Sequence, residues 1–139
     1  MLDIAVAQLN LTVGDLDGNV RQMTTAARRA WEQQADVVVF PELALTGYYP
    51  GDLLDDPAFL QRTEAAFHAL LLASRQMPGL HWVVGLPVRH DGPGHGLHNA
   101  LHVIRGGDIL LTCAKQLLPT YNVFDERRHF DPGPDAVRL

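Results

Sequence analysis

Cys113 is the only cysteine in this sequence, so no internal disulfide can form. The same scarcity removes a thiolate zinc cluster, which needs several cysteines at close spacing. Basic residues are also in the minority. Lys and Arg number 11 against 16 Asp and Glu, a formal net charge of -5 with no cationic footprint for nucleic acid. No apolar run approaches the roughly 18 residues of a membrane span. The start Met1-Leu2-Asp3-Ile4-Ala5-Val6 has no basic stretch ahead of its apolar residues. A cytoplasmic protein without membrane or nucleic-acid partners is therefore expected. Internal repeats, low-complexity tracts and interdomain linkers are missing as well.

What is present is enough apolar material for a core: 47% of the 139 residues are hydrophobic, which suits one domain or part of one. Residues 2–9 read as a short strand, punctuated by Gly14-Asp15 and Asp17-Gly18. Val20, Met23, Ala27, Ala30 and Trp31 then recur at helical spacing. The run Asp36-Val37-Val38-Val39-Phe40 stops at Pro41, as a strand buried on both faces would. Asp56 before Pro57 predicts a capped helix whose apolar stripe is Leu60, Phe67, Leu70 and Leu71. Residues 82–86 form a third strand, and residues 91–96 a mobile, glycine-rich loop. Two further strands, 97–104 and 108–114, flank Arg105-Gly106-Gly107, whose glycines suit a hairpin turn with positive φ. The order β-α-β-α-β-β-β predicts an α/β layer with helices on one face. Its other face needs a partner.

Glu42 stands where a buried strand breaks into a loop, a place where a partly desolvated carboxylate can act as a general base. A helix cap or a solvated loop carboxylate fits the same spacing. Lys115 ends the apolar strand 109–114, where a cation either meets a carboxylate and serves an oxyanion, or snorkels to water. Cys113 shares the strand face of Lys115, whose ammonium would favour a thiolate, although an inert buried cysteine is the simpler reading. His95, His98 and His102 are the densest histidine group. Two of them, His98 and His102, lie about 13 Å apart along a strand, so no metal is predicted. The loop Gly92-Pro93-Gly94-His95-Gly96 matches no phosphate-binding spacing.

Phe40-Pro41-Glu42-Leu43 followed by Lys115-Gln116-Leu117-Leu118-Pro119 resembles the first two signatures of the nitrilase, or carbon-nitrogen hydrolase, superfamily. Two longer stretches resemble the glutaminase domain of the glutamine-dependent NAD synthetases. They are Leu45-Thr46-Gly47-Tyr48-Tyr49-Pro50-Gly51-Asp52-Leu53-Leu54 and Tyr121-Asn122-Val123-Phe124-Asp125-Glu126-Arg127-Arg128-His129-Phe130-Asp131-Pro132-Gly133. The resemblance covers essentially the whole chain. It implies that residues 1–139 are the N-terminal portion of an αββα four-layer sandwich. It further implies that Glu42 is the catalytic base, Lys115 the oxyanion donor and Glu126 the carboxylate supporting the lysine. Tyr48, Tyr121 and Phe124 would line a pocket for glutamine. The family's nucleophilic cysteine lies on a later strand, beyond Leu139, so Cys113 is not its match and residues 1–139 alone are expected to be inactive. The resemblance implies no cofactor for this portion, ATP and Mg in a separate synthetase domain, and a homo-oligomeric parent. A stand-alone amidase acting on another small amide, or a non-catalytic folding or interaction module, are the rival readings.

Overall fold

The computed structural model describes residues 1–135. Five strands form one mixed sheet: β1 (Ile4–Val6), β2 (Val37–Val39), β3 (His81–Arg89), β4 (Leu97–Arg105) and β5 (Asp108–Ala114) lie side by side in sequence order. The first three run parallel, and β3, β4 and β5 run antiparallel. Two helices supply the crossovers, α1 (Leu16–Glu32) between β1 and β2, and α2 (Pro57–Ser74) between β2 and β3. Short 3-10 turns occupy Gly51–Asp55 and Glu126–Arg128.

Local chemistry accounts for the boundaries. Asp15 caps α1 by accepting from the Gly18 amide at 3.0 Å, and Asp56 caps α2 through the Ala58 amide at 2.9 Å with Pro57 in its first turn. The hairpin between β4 and β5 turns on Gly106 and Gly107, whose φ values of 57° and 89° lie in the left-handed region. β1 is shorter than the predicted 2–9, because its ladder partner β2 is itself three residues long.

The main core lies between the helices and one face of the sheet. Met23, Ala27 and Ala30 of α1 and Phe59, Phe67 and Leu70 of α2 meet Val38, Trp82, Val84, Leu86 and Ile104. Each large side chain withdrawn from water in this way stabilises the fold by about 1.5–3 kcal/mol before the entropy of ordering it. The predicted stripe on α2 is partly corrected. Phe67 and Leu70 are buried, but Phe59 rather than Leu60 heads the stripe, and Leu60 turns to a smaller cluster with Leu43, Leu54, Leu97, Leu118 and Phe130. A helix so rich in apolar residues has no single stripe to read.

Strand alternation sends the remaining side chains to the other face. There Val37, Val39, Val83, Leu101, Val103, Leu111 and Cys113 are only half-buried, and Ile4 and Val6 are 55% and 71% exposed. This face is apolar and uncovered. The glycine-rich loop 91–96, expected to be mobile, is instead tied down. Asp131 accepts from the His95 and Gly96 amides at 3.0 and 2.9 Å and from His90 Nε2 at 2.8 Å. A carboxylate 35 residues downstream could not be assigned to that loop by spacing.

Candidate active site

Glu42 is set by a turn pressed against β3. Beyond β2 the chain stays on the sheet, with the Phe40 amide donating to the Val83 carbonyl at 3.1 Å and the Leu45 amide to the Gly85 carbonyl at 3.2 Å. Between those two anchors, Pro41 offers no amide to prolong the ladder and Leu43 adopts a φ of 49°. Gly85 makes the close approach possible, because a Cβ there would lie 2.7 Å from the Leu43 nitrogen and 3.1 Å from the Pro41 carbonyl oxygen. Asn19, fully buried on α1, holds the end of the turn from the other side. It donates to the Leu45 and Thr12 carbonyls at 3.1 and 2.9 Å and accepts from the Thr12 amide at 3.0 Å.

Lys115 arrives from the end of β5. Its amide donates to the Asn99 carbonyl at 2.7 Å and its carbonyl accepts from the Gly133 amide at 2.8 Å, so the ladder geometry extends one residue past the strand. Its ammonium donates to Glu42 Oε1 at 2.7 Å and to Glu126 Oε1 at 3.1 Å. Burial by itself pulls the lysine pKa down, but the hydrogen bonds and charges of Glu42 and Glu126 outweigh it and leave a net rise. Lys115 is therefore a firm cation at neutral pH.

Glu126 sits on the second 3-10 turn and is 1% exposed. Besides Lys115 it accepts from the Tyr48 hydroxyl at 3.2 Å and from Asn99 Nδ2 at 3.4 Å. Burial, and then the Glu126 charge, push the Tyr48 phenol up, which keeps it a donor. Glu42 by contrast has 46% of its side chain exposed, more open than a strand-end carboxylate was expected to be. The reason is its position on the uncovered face. Asn99 Nδ2 donates to Glu42 Oε1 at 2.7 Å, making a residue without any sequence motif a direct neighbour of both acids.

The three aromatics expected near a substrate form a contiguous group. The rings of Tyr48 and Phe124 lie 6.5 Å apart, and those of Phe124 and Tyr121 6.0 Å apart in a T-shaped arrangement. They do not line the cleft that opens beside Glu42. That cleft, about 410 Å³, runs along the uncovered sheet face between Val39, Val83, Leu101 and Cys113 and ends at Glu42, Asn99 and Lys115. Cys113 thus shares the lysine's side of the sheet, as its spacing predicted.

Two of the three histidines weighed for metal binding, His102 and His98, have other partners. His102, buried against the Phe67 ring, pairs through Nδ1 with the Thr112 hydroxyl at 2.8 Å, and burial pulls its pKa down. His98 stacks on His90 with ring centroids 4.0 Å apart. Among the described residues one group brings three metal-capable side chains together: Asp52, Asp55 and His129, with donor atoms within 4.8 Å. Spacing does not reveal it, because Asp52 and Asp55 lie on the first 3-10 turn and His129 ends the second, 77 residues from Asp52. His129 there already has partners, Tyr49 at 2.8 Å through Nδ1 and Asp52 at 3.2 Å through Nε2.

Comparison with known proteins agrees with this geometry. The family described as carbon-nitrogen hydrolase matches residues 3–137. A glutamine-dependent NAD(+) synthetase of Xanthomonas campestris is 44% identical over 138 residues, covering 97% of this chain and 24% of the relative. The solved glutamine-dependent NAD+ synthetase of Acinetobacter baumannii superposes with a TM-score of 0.86 at 32% identity, over 96% of this chain and 24% of that one. An amidase from Nesterenkonia sp. gives a TM-score of 0.82 at 26% identity, over 96% and 49%. In a variant of that amidase the acetamide moiety of fluoroacetamide is covalently added at the active site cysteine. The chain spans about a quarter of the length of the curated relatives it matches. Its mixed sheet with helices is the N-terminal part of a nitrilase-type sandwich.

Proposed function

The chain belongs to the carbon-nitrogen hydrolase family, and from that premise we propose that it carries the base and the cation of a glutaminase site. In the intact protein this site would release ammonia from glutamine for the ATP-dependent conversion of nicotinic acid adenine dinucleotide to NAD. The observation that carries the reading is the ammonium of Lys115 held between Glu42 and Glu126 at 2.7 and 3.1 Å, at the mouth of a cleft.

The chemistry follows from those positions. Glu42 takes the proton of a cysteine thiol, which the family pattern places beyond Leu139, as the sulfur attacks the carboxamide carbon. Lys115 faces the negative charge gathering on the carbonyl oxygen. The C–N bond breaks as Glu42 returns the proton to nitrogen, and ammonia leaves a thioester. Water, deprotonated by Glu42, then cleaves the C–S bond, giving glutamate and the free thiol. Glu126, buried and acceptor-only when ionised, holds Lys115 in place. Tyr48, which donates to Glu126, and the neighbouring rings of Phe124 and Tyr121 would bound the glutamine from outside the cleft. ATP and Mg belong in this reading to a separate synthetase domain, and no step here passes through them.

The near-equal superposition on the Nesterenkonia amidase favours one second reading, a stand-alone amidase acting on another small amide. Both readings are tested in the full-length protein by Glu42→Gln. Loss of glutamine-dependent NAD formation with ammonia-dependent formation kept is the expected result, since the base is removed and the synthetase is not. Equal loss of both activities would overturn the glutaminase reading, and hydrolysis of other amides without NAD formation by the unsubstituted protein would favour the amidase. Cys113→Ser is expected to leave turnover intact; its loss would make Cys113 the nucleophile.

A further inference from the structure

Asn99, the third residue of β4, is 3% exposed and lies on the sheet face that carries the cleft. Its backbone carbonyl accepts from the Lys115 amide at 2.7 Å, while its side chain donates to Glu42 Oε1 at 2.7 Å and to Glu126 Oε2 at 3.4 Å. One residue therefore touches all three charged members of the site. The amide orientation is settled by its neighbours, because two carboxylates need the nitrogen and would repel the oxygen.

The two bridges between the acids differ in stiffness. Lys115 reaches them on a four-carbon stem with several rotatable bonds, whereas the Asn99 amide is a planar fork two bonds from a strand backbone. Its two N–H groups diverge at a fixed angle, one toward each carboxylate. At Glu42, the hydrogen bonds from Lys115 and Asn99 both end on Oε1. Two donors on one oxygen hold that oxygen still and occupy its lone pairs, leaving those of Oε2 free of both donors.

We infer that Asn99 is a positioning residue of the site: its amide pins Glu42 Oε1, so that Oε2 is the oxygen presented to the proton in transit. A buried asparagine serving only to satisfy its own polar atoms would have no reason to share an acceptor oxygen with Lys115. This inference rests on the proposed role of Glu42 as base and adds to it which oxygen works and what aims it.

The test is the pH profile of glutamine hydrolysis by the full-length protein carrying Asn99→Leu, Asn99→Asp or Asn99→Gln, with Glu42→Gln beside them. Asn99→Leu keeps the volume and removes the donor; kcat is expected to fall roughly 10- to 100-fold with KM little changed, as misplacement of a reacting group does. The acidic limb of kcat/KM should move to higher pH, further in Asn99→Asp, where a like charge replaces the donor. Asn99→Gln, which restores an amide, should recover part of the rate and move the limb back. A purely structural role would lower the folded fraction and leave the limb where it is in every variant. If Asn99→Leu fails to fold, Asn99→Asp and Asn99→Gln still rank the donor against the acceptor. Inactive Glu42→Gln with an unshifted profile in the Asn99 variants overturns this inference alone. Wild-type rates in Glu42→Gln, or no glutamine hydrolysis in the wild type, overturn the glutaminase reading and this inference with it.

Discussion

The ammonium of Lys115 lies 3.1 Å from a Glu126 carboxylate that is 1% exposed. A buried carboxylate depends on its counterion far more than an exposed one, since an uncompensated charge has no water to turn to. Lys115→Ala is therefore expected to destabilise the fold by about 3 kcal/mol, the size typical of breaking such a pair. Adding Glu126→Gln should restore most of that loss, because it removes the orphaned charge. Urea midpoints of the single and double variants decide the matter, and equal midpoints for both would count against the pairing.

Gly85 offers a more local test. A Cβ at this position meets the Leu43 nitrogen and the Pro41 carbonyl, both backbone atoms that cannot swing aside. Gly85→Ala should cost about 1–3 kcal/mol, as overpacking does, and should displace the turn that bears Glu42. Thermal unfolding together with hydrolysis rates would show both effects, and a neutral substitution would mean that the turn yields more easily than its contacts imply.

Acid should loosen the loop at residues 91–96. Burial alone would raise the Asp131 pKa, but the His95 amide, the His90 ring and the Gly96 amide together outweigh it and hold the carboxyl below its ordinary range. A group whose pKa is depressed on folding contributes stability above its unfolded-state value, near 4, and loses it as pH falls through the lower folded value. Unfolding free energy should thus drop on acidification below about pH 4. In Asp131→Ala, already weakened by about 2–3 kcal/mol at neutral pH through the lost charged acceptor, that part of the drop should vanish. Denaturant titrations across the window compare the two slopes.

These residues also mark how far the sequence could be read. Glu42, Lys115 and Glu126 were legible because each lies in a motif, and the structure brings both carboxylates within hydrogen-bond reach of the lysine's ammonium. Asp56 before Pro57 and the Gly106-Gly107 pair were legible because caps and turns are written in consecutive residues. Asn99 was not, since in Leu97-His98-Asn99-Ala100-Leu101 two adjacent polar residues face opposite ways and nothing marks which one meets a charge. The same holds for Asn19, Asp131 and the pair Tyr49 and His129. Their partners lie far along the chain, and only folding brings them together. Burial and then the Glu126 charge raise the Tyr49 phenol, so it remains the donor to His129 Nδ1.

The sheet has two topological halves, and the charged cluster sits on their seam. Strands β3, β4 and β5 follow one another as a meander, whose pairings close short loops at little entropic cost. Strands β1 and β2 join only through helical crossovers, which close longer ones. Asn99 and Lys115 belong to the meander, and Glu42 hangs from the crossover half, 73 residues from its lysine. The Glu42 and Lys115 contact is thus a clasp between the two halves of the sheet, closed across the crossover rather than within the meander.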